Sequence, residues 1–123
     1  MQTLFLVGFG GALGAISRYW INTVVLAQFN SSLLGTFLAN TSGSFVLGLF
    51  VGLLTSHPTW PLETRMFVAV GFLGSYTTFS TLSVATVQSL QKGDILTATI
   101  NLGASVVLGL LAAFIGILIG RAL

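Results

Sequence analysis

Eight consecutive residues, Gly74-Ser75-Tyr76-Thr77-Thr78-Phe79-Ser80-Thr81, set a dense row of hydroxyl groups inside an apolar stretch with no charge among them. Hydroxyl protons and side-chain amides are hydrogen-bond donors, and a helix interrupted near Gly74 adds the free N–H groups of a half-helix start. Such groups stabilise anions without any formal positive charge. Thr78, Ser80 and Thr81 belong to this run, and Asn40, in the preceding apolar stretch, offers an amide NH2. Phe79 brings a ring whose edge is positively polarised, the orientation in which an aromatic group meets an anion. Carbonyl oxygens freed at the same interruption have the opposite use: inward-pointing C=O groups of Gly74 and Thr77 make a cation site. Ser105, further along, is equally well explained as helix-to-helix glue, since such interhelical bonds average about 0.6 kcal/mol.

What is missing narrows the chemistry. Cysteine is absent, which removes disulfides, thiolate catalysis and thiolate metal sites, and a single histidine, His57, makes no metal cluster alone. Glu63 and Asp94 are the only acids and fall in connecting segments, so no carboxylate is placed to relay protons within a span. No nucleophile–base pair can be assembled, and an enzyme is not expected. The net charge of +2 arises from too few residues to suggest nucleic acid.

These groups must be held by elements buried in lipid. Hydrophobic residues make up 54% of the 123 positions and charged residues 5%, against about 25% charged in an ordinary soluble domain. The pattern predicts a single all-α membrane domain over 1–123 with four spans, near 4–26, 33–55, 66–90 and 95–119. The first lacks the basic start of a signal peptide and is expected to be retained. Gly10-x-x-x-Gly14 in the first span, and Ser105/Gly109/Ala113 and Ala112/Gly116/Gly120 in the fourth, supply small-residue ladders for close helix packing. Thr36, Asn40, Ser44 and Gly48 recur at i+4 and share one helix face. Asn30 or Ser31 is a candidate cap for the second span, and Pro58 and Pro61 end it. In the third span, a break is expected near Gly74 to Thr78, which hydrocarbon tolerates only where protein or a water-filled cavity surrounds it.

Charges are balanced across the membrane. With both ends on one side, that face receives Arg65 and Arg121 and the other Arg18 and Lys92, leaving the positive-inside rule nothing to act on. Either a partner or local signals set the orientation, or the chain inserts both ways and pairs antiparallel, reproducing between two subunits the inverted repeat of larger transporters. Four short helices hardly enclose a selective path, so an oligomer is expected.

Three stretches carry a resemblance to a known family. Gly10-Gly11-Ala12-Leu13-Gly14-Ala15-Ile16-Ser17-Arg18-Tyr19, then Gly35-Thr36-Phe37-Leu38-Ala39-Asn40-Thr41-Ser42-Gly43-Ser44-Phe45, then Gly71-Phe72-Leu73-Gly74-Ser75-Tyr76-Thr77-Thr78-Phe79-Ser80-Thr81 stand in the order and spacing of the CrcB/Fluc fluoride channels, which the chain resembles. The resemblance implies a multi-pass protein of the bacterial inner membrane that passes fluoride through two pores of an antiparallel dual-topology dimer. It implies a structural sodium ion (Na+) at the dimer centre, held by carbonyls at Gly74 and Thr77. Asn40 resembles the pore asparagine, Phe79 the first of two pore phenylalanines, and Arg18 the arginine of the aqueous vestibule. Thr78 and Ser80 fall in the same run. Three positions depart from the pattern: Leu82 replaces the second phenylalanine, Ala85 lies near a missing glutamate, and Asn101 followed by Ser105 stands where a pore tyrosine and serine often occur. The departure at Leu82 makes a heterodimer with a paralogous subunit the alternative to a homodimer. A dual-topology multidrug exporter or a membrane scaffold are the remaining alternatives, the exporter lacking its carboxylate in the first span.

Overall fold

A computed structural model describes all residues 1–123 and contains helices and turns only. Four segments are long and apolar enough to cross a membrane: α1 (Gln2–Phe29), α2 (Ser32–Ser56), a composite third segment (Leu62–Gln91), and α6 (Ile95–Ala122). The chain is therefore a multi-pass membrane protein, with spans a few residues longer than the sequence suggests. At 28 residues, α1 and α6 are each about 42 Å long at 1.5 Å per residue, more than the about 30 Å of the hydrocarbon core, so their ends reach the headgroups.

The turns follow local chemistry. Asn30 closes α1 in the left-handed conformation (φ 51°), and the Ser31 hydroxyl accepts Leu34 N–H at 3.2 Å to cap α2. The cap is thus Ser31, with Asn30 serving the preceding helix. Gly93, at φ 78°, turns the chain into α6, whose first turn is capped by Asp94.

Short connections make successive spans alternate in direction, so α1 runs parallel to the third segment and α2 parallel to α6. The closest packing is within these two pairs. Glycine makes it possible: a side chain at Gly14 would run into the Phe72 carbonyl, and one at Gly48 into that of Ala113. Lipid tails provide no hydrophobic drive between helices, so close backbone approach is what holds the pairs. Across the pairs, Ala39 of α2 joins Leu73 and Tyr76 in a small buried cluster.

The third segment changes character along its length. After the single turn α3 (Leu62–Arg65), the stretch Met66–Leu73 winds as a π-helix, followed by the short α4 (Gly74–Tyr76) and then α5 (Phe79–Gln91). Wider π winding is commonly found at functional positions. The break falls at Thr77 (φ −88°, ψ 153°) and Thr78 (φ −151°, ψ 117°), both extended. Gly74 itself is helical (φ −62°, ψ −30°).

Candidate ion pathway

The break is fastened from both sides to α2. Asn40 Nδ2 donates to the Thr78 carbonyl at 3.0 Å, and Thr78 N–H donates to Asn40 Oδ1 at 2.7 Å. One side-chain amide thus satisfies both backbone groups of an extended residue, as a neighbouring strand would. Two residues before Thr78, the Tyr76 hydroxyl lies 2.9 Å from that of Ser42, two residues beyond Asn40. Ser42 already gives its proton to the Leu38 carbonyl at 2.6 Å, so Tyr76 is the donor. Stacking of Tyr76 on Phe72, 5.9 Å between ring centres, holds the phenol in place.

Thr78 also begins α5. Its Oγ1 accepts Thr81 N–H at 3.2 Å and contacts the hydroxyls of Ser80 (3.1 Å) and Thr81 (3.2 Å). These hydroxyls consequently sit at the half-helix start, where the first N–H groups have no preceding turn to accept them.

Both carbonyls proposed for cation binding have lost their helical donors. The i+4 partner of the Gly74 carbonyl is Thr78 N–H, which goes to Asn40. That of the Thr77 carbonyl is Thr81 N–H, which goes to Thr78 Oγ1. Two oxygens freed within four residues fit a hard cation such as sodium, which takes oxygen ligands. No group of three or more His, Cys, Asp or Glu is available to hold a transition metal.

Beside the break lies a cleft of about 410 Å³ between α2, α5 and α6. Asn40, Thr78, Phe79 and Ser105 line it, together with Ser44 and Leu82. Every lining group is neutral. Ser105 Oγ is buried and without a hydrogen-bond partner, an open donor one helix away from Asn40. Phe79 is 75% exposed, so its ring edge is free to face whatever occupies the cleft.

Other expected residues stand apart. Asn101, one turn before Ser105, lines a separate and more apolar pocket with Phe37 and Thr97. Its amide donates to Thr86 Oγ1 at 3.3 Å, and Thr86 in turn donates to the Leu82 carbonyl at 2.8 Å. Arg18 lies within α1, half-buried, and does not line the cleft. Ser44 is a cleft residue that sequence reasoning placed only on a polar stripe; its i+4 spacing from Asn40 was the available signal.

Comparison with known proteins adds an independent finding. The family model described as CrcB-like protein, Camphor Resistance (CrcB), matches residues 5–117. The chain is 44% identical over 119 residues to a protein of Hydrogenovibrio crunogenus named fluoride-specific ion channel FluC, covering 96% of this chain and 90% of that one. A protein of the same name from Acidobacterium capsulatum is 36% identical over 116 residues, covering 94% and 93%. Fluoride-specific ion channel FluC 2 of Geobacillus kaustophilus is 42% identical over 111 residues, covering 89% and 86%.

Proposed function

The chain belongs to the CrcB family, and from that membership we propose that it is a passive fluoride-selective channel that lets cytoplasmic fluoride leave a bacterial cell. The single observation that carries the reading is the neutral cleft at the Asn40–Thr78 fastening, with the unpaired Ser105 hydroxyl and the free Phe79 ring beside it. A small, strongly hydrated anion crosses only if donors replace its water, and every side chain lining this cleft is uncharged. Enzymatic activity is not part of the function.

Passive conduction is sufficient. Hydrogen fluoride is a neutral weak acid that crosses lipid, whereas the anion it releases in the cytoplasm does not return by that route. The negative-inside potential then drives the anion outward with about 2.3 kcal/mol per charge for each 100 mV. A proton-coupled multidrug exporter is disfavoured because Glu63 and Asp94 lie at helix starts, outside the apolar interior.

The working unit is an antiparallel dimer in lipid. Three features support it: the even division of basic residues, a cleft lined on one side only by a single chain, and the freed carbonyls of Gly74 and Thr77. Sodium shared between the Gly74 and Thr77 carbonyls of two copies would pin them at the break and supply a fixed positive charge there. The hydroxyls of Ser44, Thr77, Thr78 and Ser105 and the Asn40 amide line the path, with Ser80 and Thr81 at the half-helix start next to it, while Asn101 is bonded to Thr86 in a separate pocket. Arg18 raises the local anion concentration at the vestibule.

Leu82 favours one second reading. It is buried and lines the cleft, where a second ring would complete the pattern, and a paralogous subunit carrying phenylalanine there would supply it. Purified chain in sealed liposomes, with a potassium ionophore balancing charge, tests both. Rapid fluoride release with little chloride release supports the homodimer. Release only after a second subunit is added supports the heterodimer, and no release with either rejects the channel.

A further inference from the structure

One face of α5 lines both the cleft and a second cavity. Thr78, Leu82, Ala85, Ser89 and Lys92 follow one another at spacings of four, three, four and three, which places them in a single file along the helix. Thr78 and Leu82 line the cleft at the break. Ala85, Ser89 and Lys92, with Gln88 and Ser32, line a polar pocket of about 240 Å³ between the end of α5 and the start of α2. Along α5 the nearest lining residues of the two cavities are Leu82 and Ala85, a rise of about 4.5 Å at 1.5 Å per residue. The side chain on the far side of that step is a methyl group, the smallest that a chiral residue offers.

The pocket has the chemistry of an anion site. The Ser31 and Ser32 hydroxyls and the Gln88 amide supply donors, the Ser89 proton being given to the Ala85 carbonyl at 3.1 Å; Lys92 supplies a full positive charge, and no acidic residue lines the pocket. The nearest acid in sequence, Asp94, is committed elsewhere: its carboxylate accepts Thr97 N–H at 3.0 Å at the start of α6. No carboxylate forms an ion pair with Lys92.

We infer that this pocket is a second anion site, the mouth at which fluoride enters or leaves the path that begins at the Asn40–Thr78 cleft, with Lys92 as its gathering charge. The inference rests on the channel reading above. A single lysine at an aqueous mouth concentrates anions by its field, and the field reaches about 30 Å at 0.01 M ionic strength but only about 3 Å at 1 M. Lys92 thus accelerates capture in dilute solution and does nothing to selectivity, which belongs to the neutral cleft.

The test is fluoride flux from liposomes at low fluoride, in about 0.01 M and about 1 M of an impermeant salt, the two screening limits above. Lys92→Gln is expected to slow flux several-fold in dilute salt and to match wild type in concentrated salt, while Lys92→Arg restores the rate. Fluoride-over-chloride preference stays unchanged throughout. Ala85→Phe, which fills the step between cavities, is expected to cut flux at both salt levels in protein that still elutes as wild type does. Wild-type conduction with Lys92→Gln indistinguishable from it in dilute salt, or equally slow in both salts, overturns the gathering role. Normal flux through Ala85→Phe overturns the route. Absence of flux in wild type strikes the channel reading itself, so the two failures are separable.

Discussion

Asn40 and Thr78, thirty-eight residues apart in the chain, exchange two hydrogen bonds at 3.0 and 2.7 Å, the side chain of one pairing with the whole backbone unit of the other. That exchange explains how an extended residue persists in the middle of a membrane span. It also changes what Asn40 has to offer: one amide hydrogen is committed to Thr78, and one is left for the cleft. Positioning the break and lining the path are therefore two duties of a single side chain.

Replacing Asn40 by alanine should remove both. Two backbone groups of Thr78 would lose their partners, at about 1–3 kcal/mol for each buried group left unpaired. We expect lower thermal stability together with abolished fluoride flux. Asn40→Asp keeps the acceptor but loses the donor, and should be inactive as well. Unaltered melting of Asn40→Ala in detergent would show that the fastening does not hold the break.

Ser105 gives the reverse combination. Its hydroxyl is buried with no partner, so removing it costs the fold nothing and relieves an unsatisfied group. Ser105→Ala should melt at or slightly above the wild-type temperature while conducting fluoride more slowly. A variant that is both stable and fully conductive would exclude Ser105 from the path.

Much of this arrangement was legible in the residues, and the remainder was hidden for definite reasons. Long apolar runs between Pro, Gly and polar turns located all four spans. Hydroxyl density located the interruption to within a few residues, but Gly74 drew attention that belongs to Thr77 and Thr78. Glycine permits a break without imposing one, whereas a threonine whose backbone is captured by a distant asparagine has no alternative. That capture depends on α2 lying beside the third segment, a tertiary fact. The π winding of Met66–Leu73 has no residue signature at all. Asn101 and Ser105, one turn apart, point into different cavities because neighbouring helices divide the face they share.

Phe79 is largely exposed, so truncating it should leave the subunit's own stability almost unchanged. If its ring edge meets the ion, Phe79→Ile removes that contact; on the scale of the about 0.5–1.5 kcal/mol that an edge-to-face pair of rings contributes, flux should fall about two- to twelve-fold. Flux relaxation in liposomes measures it directly, with size-exclusion elution as the control for assembly. Unchanged flux would assign the ring to lipid or to packing.

Acid should act through Asp94. Hydrogen bonds from Thr97, its hydroxyl first and its backbone N–H second, hold the Asp94 carboxyl below its ordinary value of 3.8. A carboxyl with a depressed folded pKa contributes stability that is complete above the unfolded value and is lost as pH falls through the folded one. Wild type should therefore lose thermal stability relative to Asp94→Asn as the pH drops below the ordinary carboxylate range, since asparagine caps the helix without titrating. Parallel melting curves at every pH would mean that the cap does not report on α6.

Gly74 separates the needs of one subunit from those of a pair. Its backbone is helical, and an added Cβ would meet only the Ala69 carbonyl, at an ordinary 3.5 Å. Within one chain alanine is therefore tolerated, and its better helix propensity favours α4 by up to about 1 kcal/mol. A second copy approaching closely enough to share a cation at the Gly74 carbonyl would meet that methyl group. Gly74→Ala should thus keep wild-type helicity by circular dichroism yet dissociate more readily in detergent, and sodium should no longer strengthen its association over choline. Retention of a sodium-strengthened dimer in Gly74→Ala would rule out close approach at this position and move the cation site elsewhere.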